Sequence, residues 1–124
     1  MIIVKEITFE AAHYLKNTGK CSNLHGHSYK LQVEVEGSVS NGMVMNFTEL
    51  KKVLESVHEE FDHKCTNDLD VSGYAGLNMV EYPTAENMTM YMWNRIQDLL
   101  PSGVNLHCIR LWETATSYVE YRWK

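Results

Sequence analysis

The chain has 124 residues, of which 44% are hydrophobic and 22% charged, with a net charge of -5 at pH 7; this composition excludes a mainly disordered chain and predicts one globular domain over residues 1–124. The acidic balance argues against nucleic acid as a partner, and no apolar run reaches the roughly 18 residues that a membrane span needs. Three cysteines at wide spacing are not a disulfide framework, and no basic and apolar leader opens the chain, so we expect a cytoplasmic protein.

Two strands are predicted in the first third of the chain. Residues 1–14 alternate imperfectly between apolar and polar side chains, which indicates a strand. A polar loop follows, and residues 25–37 then alternate strictly, which predicts a long antiparallel strand with one solvated face. After a turn, residues 43–45 are predicted to form a short extension of the sheet.

Two helices are predicted in the middle of the chain. Asn46 and Glu49 have the spacing of a capping box, and the apolar residues behind them keep helical spacing over 47–60. Thr84 is the predicted N-cap of a second helix, which ends at a Leu-Pro-Ser-Gly segment over residues 100–103.

The remaining segments complete the predicted fold class. Residues 61–82 are irregular and rich in Asp, Asn and Gly, whereas residues 104–113 and 116–123 read as two further strands. The order ββααββ predicts an α+β domain in which one four-stranded antiparallel sheet carries both helices on one face. Because the other face and both sheet edges are then uncovered, we expect the chain to assemble with copies of itself.

Three histidines are candidates for a metal site. His25 and His27 stand two apart at the start of a strand, so their side chains point to the same face. His13 ends the preceding strand and comes opposite this pair if the two strands are neighbours. The alternative is that His25 and His27 are exposed strand residues and that His13 is a hydrogen-bonded core residue. The combination of all three favours a catalytic zinc site with one coordination position left open.

Cys21 lies four residues before His25 and leaves two interpretations open. As a fourth ligand it would make the zinc site closed and structural. As a thiolate beside the metal it would act as a base or a nucleophile. The spacing alone does not decide between them.

Three acid/base residues lie elsewhere in the chain. Asp62 and His63 follow the first predicted helix, where a loop can turn a carboxylate towards a neighbouring imidazole and raise its basicity. Glu113 closes a mainly apolar strand, and its pattern alone predicts a solvent-exposed strand end.

Six segments carry a resemblance to a known family. They are Phe9-Glu10-Ala11-Ala12-His13, Cys21 through Tyr29, Gly42-Met43-Val44-Met45, Asp62-His63, Pro83-Thr84-Ala85-Glu86-Asn87 and Trp112-Glu113-Thr114. The chain resembles the 6-pyruvoyl-tetrahydropterin synthase family almost from end to end. It is most similar to the 6-carboxy-tetrahydropterin synthase branch of queuosine (7-deazapurine) biosynthesis. The pyruvoyl branch typically places two more residues between the cysteine and His-Gly-His.

The resemblance implies roles for the candidate site residues. It implies zinc on His13, His25 and His27, with Cys21 as the base that abstracts a proton and not as a ligand. A second set of roles follows at residues farther along the chain. His63 with Asp62 would be a proton relay, Glu113 would bind the pterin ring, and Thr84 would lie beside the same pocket.

The resemblance also implies a reaction and an assembly. Members convert 7,8-dihydroneopterin triphosphate, and the carboxy branch forms 6-carboxy-5,6,7,8-tetrahydropterin with release of acetaldehyde and triphosphate. The alternatives are pyruvoyl-tetrahydropterin formation from the same substrate, or a non-catalytic zinc-binding module. Three sheets would close into a barrel and two trimers would stack into a homo-hexamer, with active sites at subunit interfaces.

The chain departs from the family pattern at few positions. Asn46 stands where many members have Asp, and both residues cap helices. Thr66 replaces an apolar residue that is common after the Asp-His segment, which affects local packing only. Four lysines are candidates for holding the triphosphate, although a single lysine of this kind is more often an ordinary surface residue: Lys16, Lys20, Lys30 and Lys64.

Overall fold

The computed structural model describes residues 1–123, which form one mixed sheet and two helices. The elements are β1 (Ile2–His13), β2 (His25–Gly37), α1 (Phe47–Phe61), β3 (Lys64–Cys65), α2 (Ala85–Leu99), β4 (Val104–Thr114) and β5 (Ser117–Arg122). The sheet order is β3-β1-β2-β4-β5, and every pair except β1–β3 is antiparallel. The predicted α+β class is confirmed, with the four long strands and both helices close to their predicted bounds.

Strand alternation decides which side of the sheet is buried. Along β2, Tyr29, Leu31, Val33 and Val35 are buried, and the residues between them are more exposed. The buried set packs with the apolar faces of α1 and α2 in a single core. Both helices therefore lie on the same face of the sheet, as the sequence predicts.

A side chain caps the N-terminus of each helix. The Asn46 side-chain oxygen accepts a hydrogen bond from the Thr48 N–H at 2.8 Å, and the Thr84 hydroxyl oxygen accepts one from the Asn87 N–H at 3.2 Å. Each bond satisfies one of the N–H groups that have no partner inside the first helical turn. Both predicted N-caps are confirmed. Within residues 1–123, neither helix is long and apolar enough to cross a membrane.

The sheet has one more strand than the sequence predicts. β3 pairs in parallel with Ala11 and Ala12 of β1, inside a segment that was predicted to be irregular. A strand of two residues has no periodicity to detect, and its pairing depends on a partner some 50 residues away. The predicted sheet extension over residues 43–45 is wrong, because this segment forms only an isolated bridge between Ser40 and Met43.

The face without helices carries a ladder of polar side chains, which we call the polar ladder. Gln32 donates to Glu6 at 3.0 Å and accepts from Arg110 at 2.7 Å, and Arg110 also donates to Glu120 at 2.7 Å. The ladder therefore crosses four strands, from β1 to β5. Side chains of this kind are compatible with water, which agrees with a face that no element of the described chain covers.

Candidate functional site

Three imidazoles meet at one end of the β1–β2 pair. In the register of these strands His13 lies opposite His25, and Ala11 lies opposite His27. All three histidines therefore point to the helix side of the sheet. One ring nitrogen from each histidine lies within 4.8 Å of the other two. The structure thus brings together the three histidines that the sequence singles out.

Backbone carbonyl groups fix the tautomers of two of these histidines. The Nδ1 atom of His13 lies 2.7 Å from the carbonyl oxygen of Pro83, and the Nδ1 atom of His25 lies 2.7 Å from that of Asn23. Because a carbonyl oxygen only accepts, each Nδ1 carries a proton, and in the neutral ring Nε2 is then the nitrogen with the lone pair. This is the arrangement in which an imidazole binds a metal and donates its other N–H to a second partner.

The Nε2 atoms of His13 and His27 are buried, and neither has a hydrogen-bond partner within residues 1–123. A buried polar atom without a partner costs about 1–3 kcal/mol. A metal ion bound between the imidazoles removes this cost. Three neutral imidazole nitrogens are also a donor set that zinc favours. The residues present therefore fit the zinc that the resemblance implies.

The electrostatics of His27 favour its neutral, metal-binding form. Burial lowers the pKa of His27, and the neighbouring His13 and His25 lower it further, while the Glu113 carboxylate acts in the opposite direction. The nearest Glu113 oxygen lies 3.3 Å from His27 Nε2, without the alignment of a hydrogen bond. Metal binding needs the unprotonated imidazole, so no proton has to be removed from His27 at neutral pH.

Cys21 lies in the loop between β1 and β2, in a short 3-10 turn over Gly19–Ser22. Its carbonyl oxygen accepts a hydrogen bond from the Leu15 N–H at 2.7 Å, and its side chain is exposed. In the described chain its sulfur is not part of the group that the three histidines form. Of the two interpretations of Cys21, the geometry favours a thiol outside the ligand set.

Asp62 and His63 form a pair that is fixed to the edge of β1. One carboxylate oxygen of Asp62 lies 2.8 Å from His63 Nδ1, and the other accepts the Glu10 N–H at 2.9 Å. The His63 N–H in turn donates to the Glu10 carbonyl oxygen at 2.6 Å. The bond from Glu10, followed by the bond from His63, lowers the pKa of Asp62.

This pair presents His63 to solvent. The residue has a positive φ of 59°, and 78% of its side chain is exposed. Because Nδ1 faces Asp62, Nε2 is the ring nitrogen available to a second partner. The structure thus pairs the two residues as the sequence suggests, but at the outer edge of the sheet.

Glu113 and Thr84 lie beside the histidines. Glu113 is half-buried next to His27, so the expectation of a solvent-exposed strand end, made from its pattern alone, is wrong. It faces the helix side of β4 because it keeps the alternation of the buried Leu111. Thr84 follows Pro83, whose carbonyl oxygen bonds to His13.

Sequence reasoning missed three partners of the histidines. Two are the carbonyl groups of Asn23 and Pro83, which no side-chain pattern reveals. The third is Tyr29, whose ring contacts those of His27 and His13 and whose hydroxyl is buried without a partner in the described residues. Burial, followed by the Glu113 charge, raises the pKa of Tyr29. Its position two residues after His27 is a signal that could have identified it.

Comparisons with known proteins find relatives that match nearly the whole chain. Dihydroneopterin monophosphate aldolase of Pyrococcus furiosus is 36% identical over 121 residues, which cover 98% of this chain and 96% of the relative. The 6-carboxy-5,6,7,8-tetrahydropterin synthase of Haemophilus influenzae is 34% identical and covers 97% of both chains. The 6-pyruvoyl tetrahydropterin synthase of Caenorhabditis elegans has a similar structure, with a TM-score of 0.80 at 25% identity, covering 100% of this chain and 96% of that one.

The match to a family profile spans nearly the whole chain. The profile described as 6-pyruvoyl tetrahydropterin synthase matches residues 2–124. This range includes the three histidines, the Asp62–His63 pair and Glu113. The chain therefore belongs to the 6-pyruvoyl tetrahydropterin synthase family, whose enzymes act on pterins.

Proposed function

We propose that the chain is a zinc-dependent lyase that converts 7,8-dihydroneopterin triphosphate into 6-carboxy-5,6,7,8-tetrahydropterin, with release of acetaldehyde and triphosphate, in queuosine biosynthesis. The observation that carries the proposal is the group of three imidazoles, two of which have a buried Nε2 without a partner in the described residues, next to a loop that exposes a thiol. The short Cys21-to-His25 spacing supports the carboxy branch, and the Haemophilus influenzae relative has the corresponding name.

The proposed reaction balances without an external oxidant or reductant. The first carbon of the substrate side chain becomes the carboxyl group, and the other two carbons leave as acetaldehyde. The oxygen of the third carbon leaves with the triphosphate, so a water molecule supplies the second carboxyl oxygen. The net two-electron oxidation of the side chain balances the reduction of the ring from the dihydro to the tetrahydro state.

His13, His25 and His27 would hold zinc through Nε2. Zinc, when bound, is a Lewis acid that polarises substrate hydroxyl oxygens and makes neighbouring protons easier to remove. The thiolate of Cys21 is the proposed base that takes a proton from the side chain of the substrate. Its position outside the ligand group supports this role, because the sulfur stays free to accept a proton.

His63 is the proposed second acid/base group. Asp62 holds the Nδ1 proton of His63, so Nε2 accepts or donates a proton while triphosphate leaves. The exposed ring of His63 supports a role at a subunit interface, where His63 of one copy meets the substrate bound to a neighbouring copy. The same exposure is one reason to propose a homo-hexamer with interface active sites, in which three sheets close into a barrel.

Glu113 and Thr84 are the proposed pterin-binding residues. The carboxylate of Glu113 accepts hydrogen bonds from the amino group and a ring N–H of the pterin. Its proximity to His27 supports this role, because a ring bound to Glu113 has its side chain near the imidazoles. Thr84 lines the same region beside Pro83. For the whole chain we propose a cytoplasmic location, which agrees with its three free cysteines.

The deciding experiment is product analysis. Zinc-loaded protein is incubated with 7,8-dihydroneopterin triphosphate, and the pterin and any aldehyde are identified by mass spectrometry. Formation of 6-carboxy-tetrahydropterin with an equal amount of acetaldehyde supports the proposal. A pyruvoyl product without acetaldehyde contradicts it in favour of the second branch. Parallel incubation with dihydroneopterin monophosphate tests the activity for which the Pyrococcus furiosus relative is named.

A further inference from the structure

The side chain of Asn67 joins the residue after His13 to the segment that leads to Pro83. Asn67 is buried in the 3-10 turn that follows β3, with 2% of its surface exposed. Its oxygen accepts the Tyr14 N–H at 3.1 Å, and its amide nitrogen donates to the Tyr14 carbonyl oxygen at 3.0 Å. The same nitrogen donates to the Val80 carbonyl oxygen at 3.0 Å.

These bonds complete a closed ring around His13. Tyr14 follows His13 directly in the chain, and Val80 precedes Pro83 by three residues. Pro83 in turn provides the carbonyl oxygen that accepts the Nδ1 proton of His13. One amide group therefore joins the residue after His13 to the segment that leads to the acceptor of the His13 side chain.

The chemistry of this position suits asparagine in particular. The site presents the Tyr14 N–H and, more weakly, the Cys65 thiol at 3.6 Å as donors, and two carbonyl oxygens as acceptors. A primary amide offers one acceptor oxygen and two N–H donors. An aspartate has the same shape but has no N–H group. At this position it would place a buried carboxylate oxygen against two carbonyl oxygens, which costs free energy.

We propose that Asn67 is a positioning residue of the metal site, which sets the distance between His13 and the Pro83 carbonyl and so keeps His13 Nε2 free to bind the metal. The inference rests on the proposed zinc site. Asn67 acts through backbone groups and does not touch the metal or the substrate.

Substitution of Asn67 tests this role. Asn67→Asp and Asn67→Ala are compared with Asn78→Asp and Asn78→Ala. Asn78 is a suitable control because its side chain is exposed and, within residues 1–123, accepts a hydrogen bond from the nearby Glu81 N–H alone, in the same segment that leads to Pro83. Affinity for zinc is measured by competition with a chromophoric chelator. We expect the Asn67 variants to lose affinity by about tenfold or more, as when outer partners of metal ligands are removed, and the Asn78 variants to match the wild type.

Two measurements separate positioning from a loss of stability. Ile96→Val weakens the core near the far end of α2, so a zinc affinity that falls equally in Ile96→Val and Asn67→Ala overturns the inference. In the metal-free wild type, we expect NMR to detect the Nδ1 proton of His13 as a slowly exchanging signal. We expect its exchange to be faster in Asn67→Ala and unchanged in Asn78→Ala.

A last experiment needs no variant. Zinc is added to the wild-type protein, and exchange of the side-chain amide protons of Asn67 and Asn78 with solvent is followed by NMR. We expect zinc to slow the exchange at Asn67 and not at Asn78, and equal behaviour of both overturns the inference. If the wild type binds no zinc in the competition assay, the proposed metal site fails. If it binds zinc but the Asn67 variants bind equally well, only the inference about Asn67 fails.

Discussion

His13 Nδ1 and the carbonyl oxygen of Pro83 lie 2.7 Å apart although 70 residues of chain separate them. The bond joins the end of β1 to the residue before the N-cap of α2. It fixes a proton of His13 on Nδ1, whereas Nε2 is buried and has no hydrogen-bond partner within residues 1–123. The start of α2 and the candidate metal site are therefore one structural unit, and a change at either is expected to affect the other.

Removing the cap of α2 is expected to weaken metal binding, whereas removing the cap of α1 is not. Thr84→Ala and Asn46→Ala each delete one cap bond, and each is expected to lower the free energy of unfolding by about 1 kcal/mol. Only Thr84 is next to Pro83, so only Thr84→Ala is expected to lower zinc affinity. Urea unfolding and chelator competition measure the two effects. Equal zinc affinities in the two variants would contradict the coupling.

Replacing one proposed ligand is expected to remove bound zinc. His25→Gln is the most suitable variant because His25 is only partly buried, so the core remains intact. We expect elemental analysis of the purified variant to find little zinc. The matched control is His107→Gln, since His107 bonds to Glu34 and lies away from the imidazole group. A His25→Gln protein with a full complement of zinc would exclude this residue as a ligand.

Cys21→Ala is expected to keep zinc and lose turnover. The thiol is exposed and stands apart from the three imidazoles, so its removal leaves the ligand set unchanged. Loss of a general base typically reduces the rate by about 10²–10⁴-fold. Single-turnover kinetics and zinc analysis of the same preparation test both parts, with Cys108→Ala as the control. Loss of the metal in Cys21→Ala would support the closed, non-catalytic site instead.

Asp62→Asn is expected to change both the pH dependence of stability and the turnover. The pKa of Asp62 is below its ordinary value of 3.8 in the folded protein, so the unfolded chain binds more protons in that range. The resulting stability is present above the ordinary value and is lost as the pH falls through the lowered pKa. The difference between wild type and variant in free energy of unfolding is therefore largest at neutral pH and disappears in strong acid.

Asp70→Asn is the control for this prediction. The pKa of Asp70 is also lowered, first by the bond from the Ser72 N–H, which lies within its own loop. We therefore expect the difference in free energy of unfolding between the wild type and Asp70→Asn to depend on pH in the same way as for Asp62→Asn. Turnover should be unchanged in Asp70→Asn and reduced in Asp62→Asn, because only Asp62 holds the Nδ1 proton of His63. Equal turnover in the two variants would remove Asp62 from the proposed mechanism.

The parts of the fold that the sequence predicts are those with a local signal. The strict alternation over β2 and the helical spacing behind Asn46 are properties of neighbouring residues. β2 has the predicted bounds, and α1 ends at Phe61, one residue after its predicted end. β3 has no such signal, because two residues become a strand only when the edge of β1 accepts them. Its parallel pairing is a result of tertiary structure.

The same distinction applies to the candidate site. His25 and His27 share a face because residues two apart in a strand always do, so this part of the site is visible in the sequence. The orientation of Glu113 depends on the register of β4. The apolar pattern of the strand therefore predicted, wrongly, that this side chain is exposed to solvent. Every residue has a backbone carbonyl group, so the sequence does not indicate which one bonds to His13. Only the folded chain shows that the carbonyl group of Pro83 is the partner of His13.

The register of the β1–β2 hairpin has a consequence for how the protein folds in the presence of metal. All three imidazoles belong to this hairpin, and His13 and His27 are 14 positions apart along the chain. Closing so short a loop costs little entropy. We therefore expect the unfolded chain to keep some affinity for the ion, although less than the folded domain has. Zinc then stabilises the folded domain by less than its affinity for that state alone implies. We also expect an ion that binds early in folding to favour the correct register of β1 and β2, before the Pro83 carbonyl group has bonded to His13.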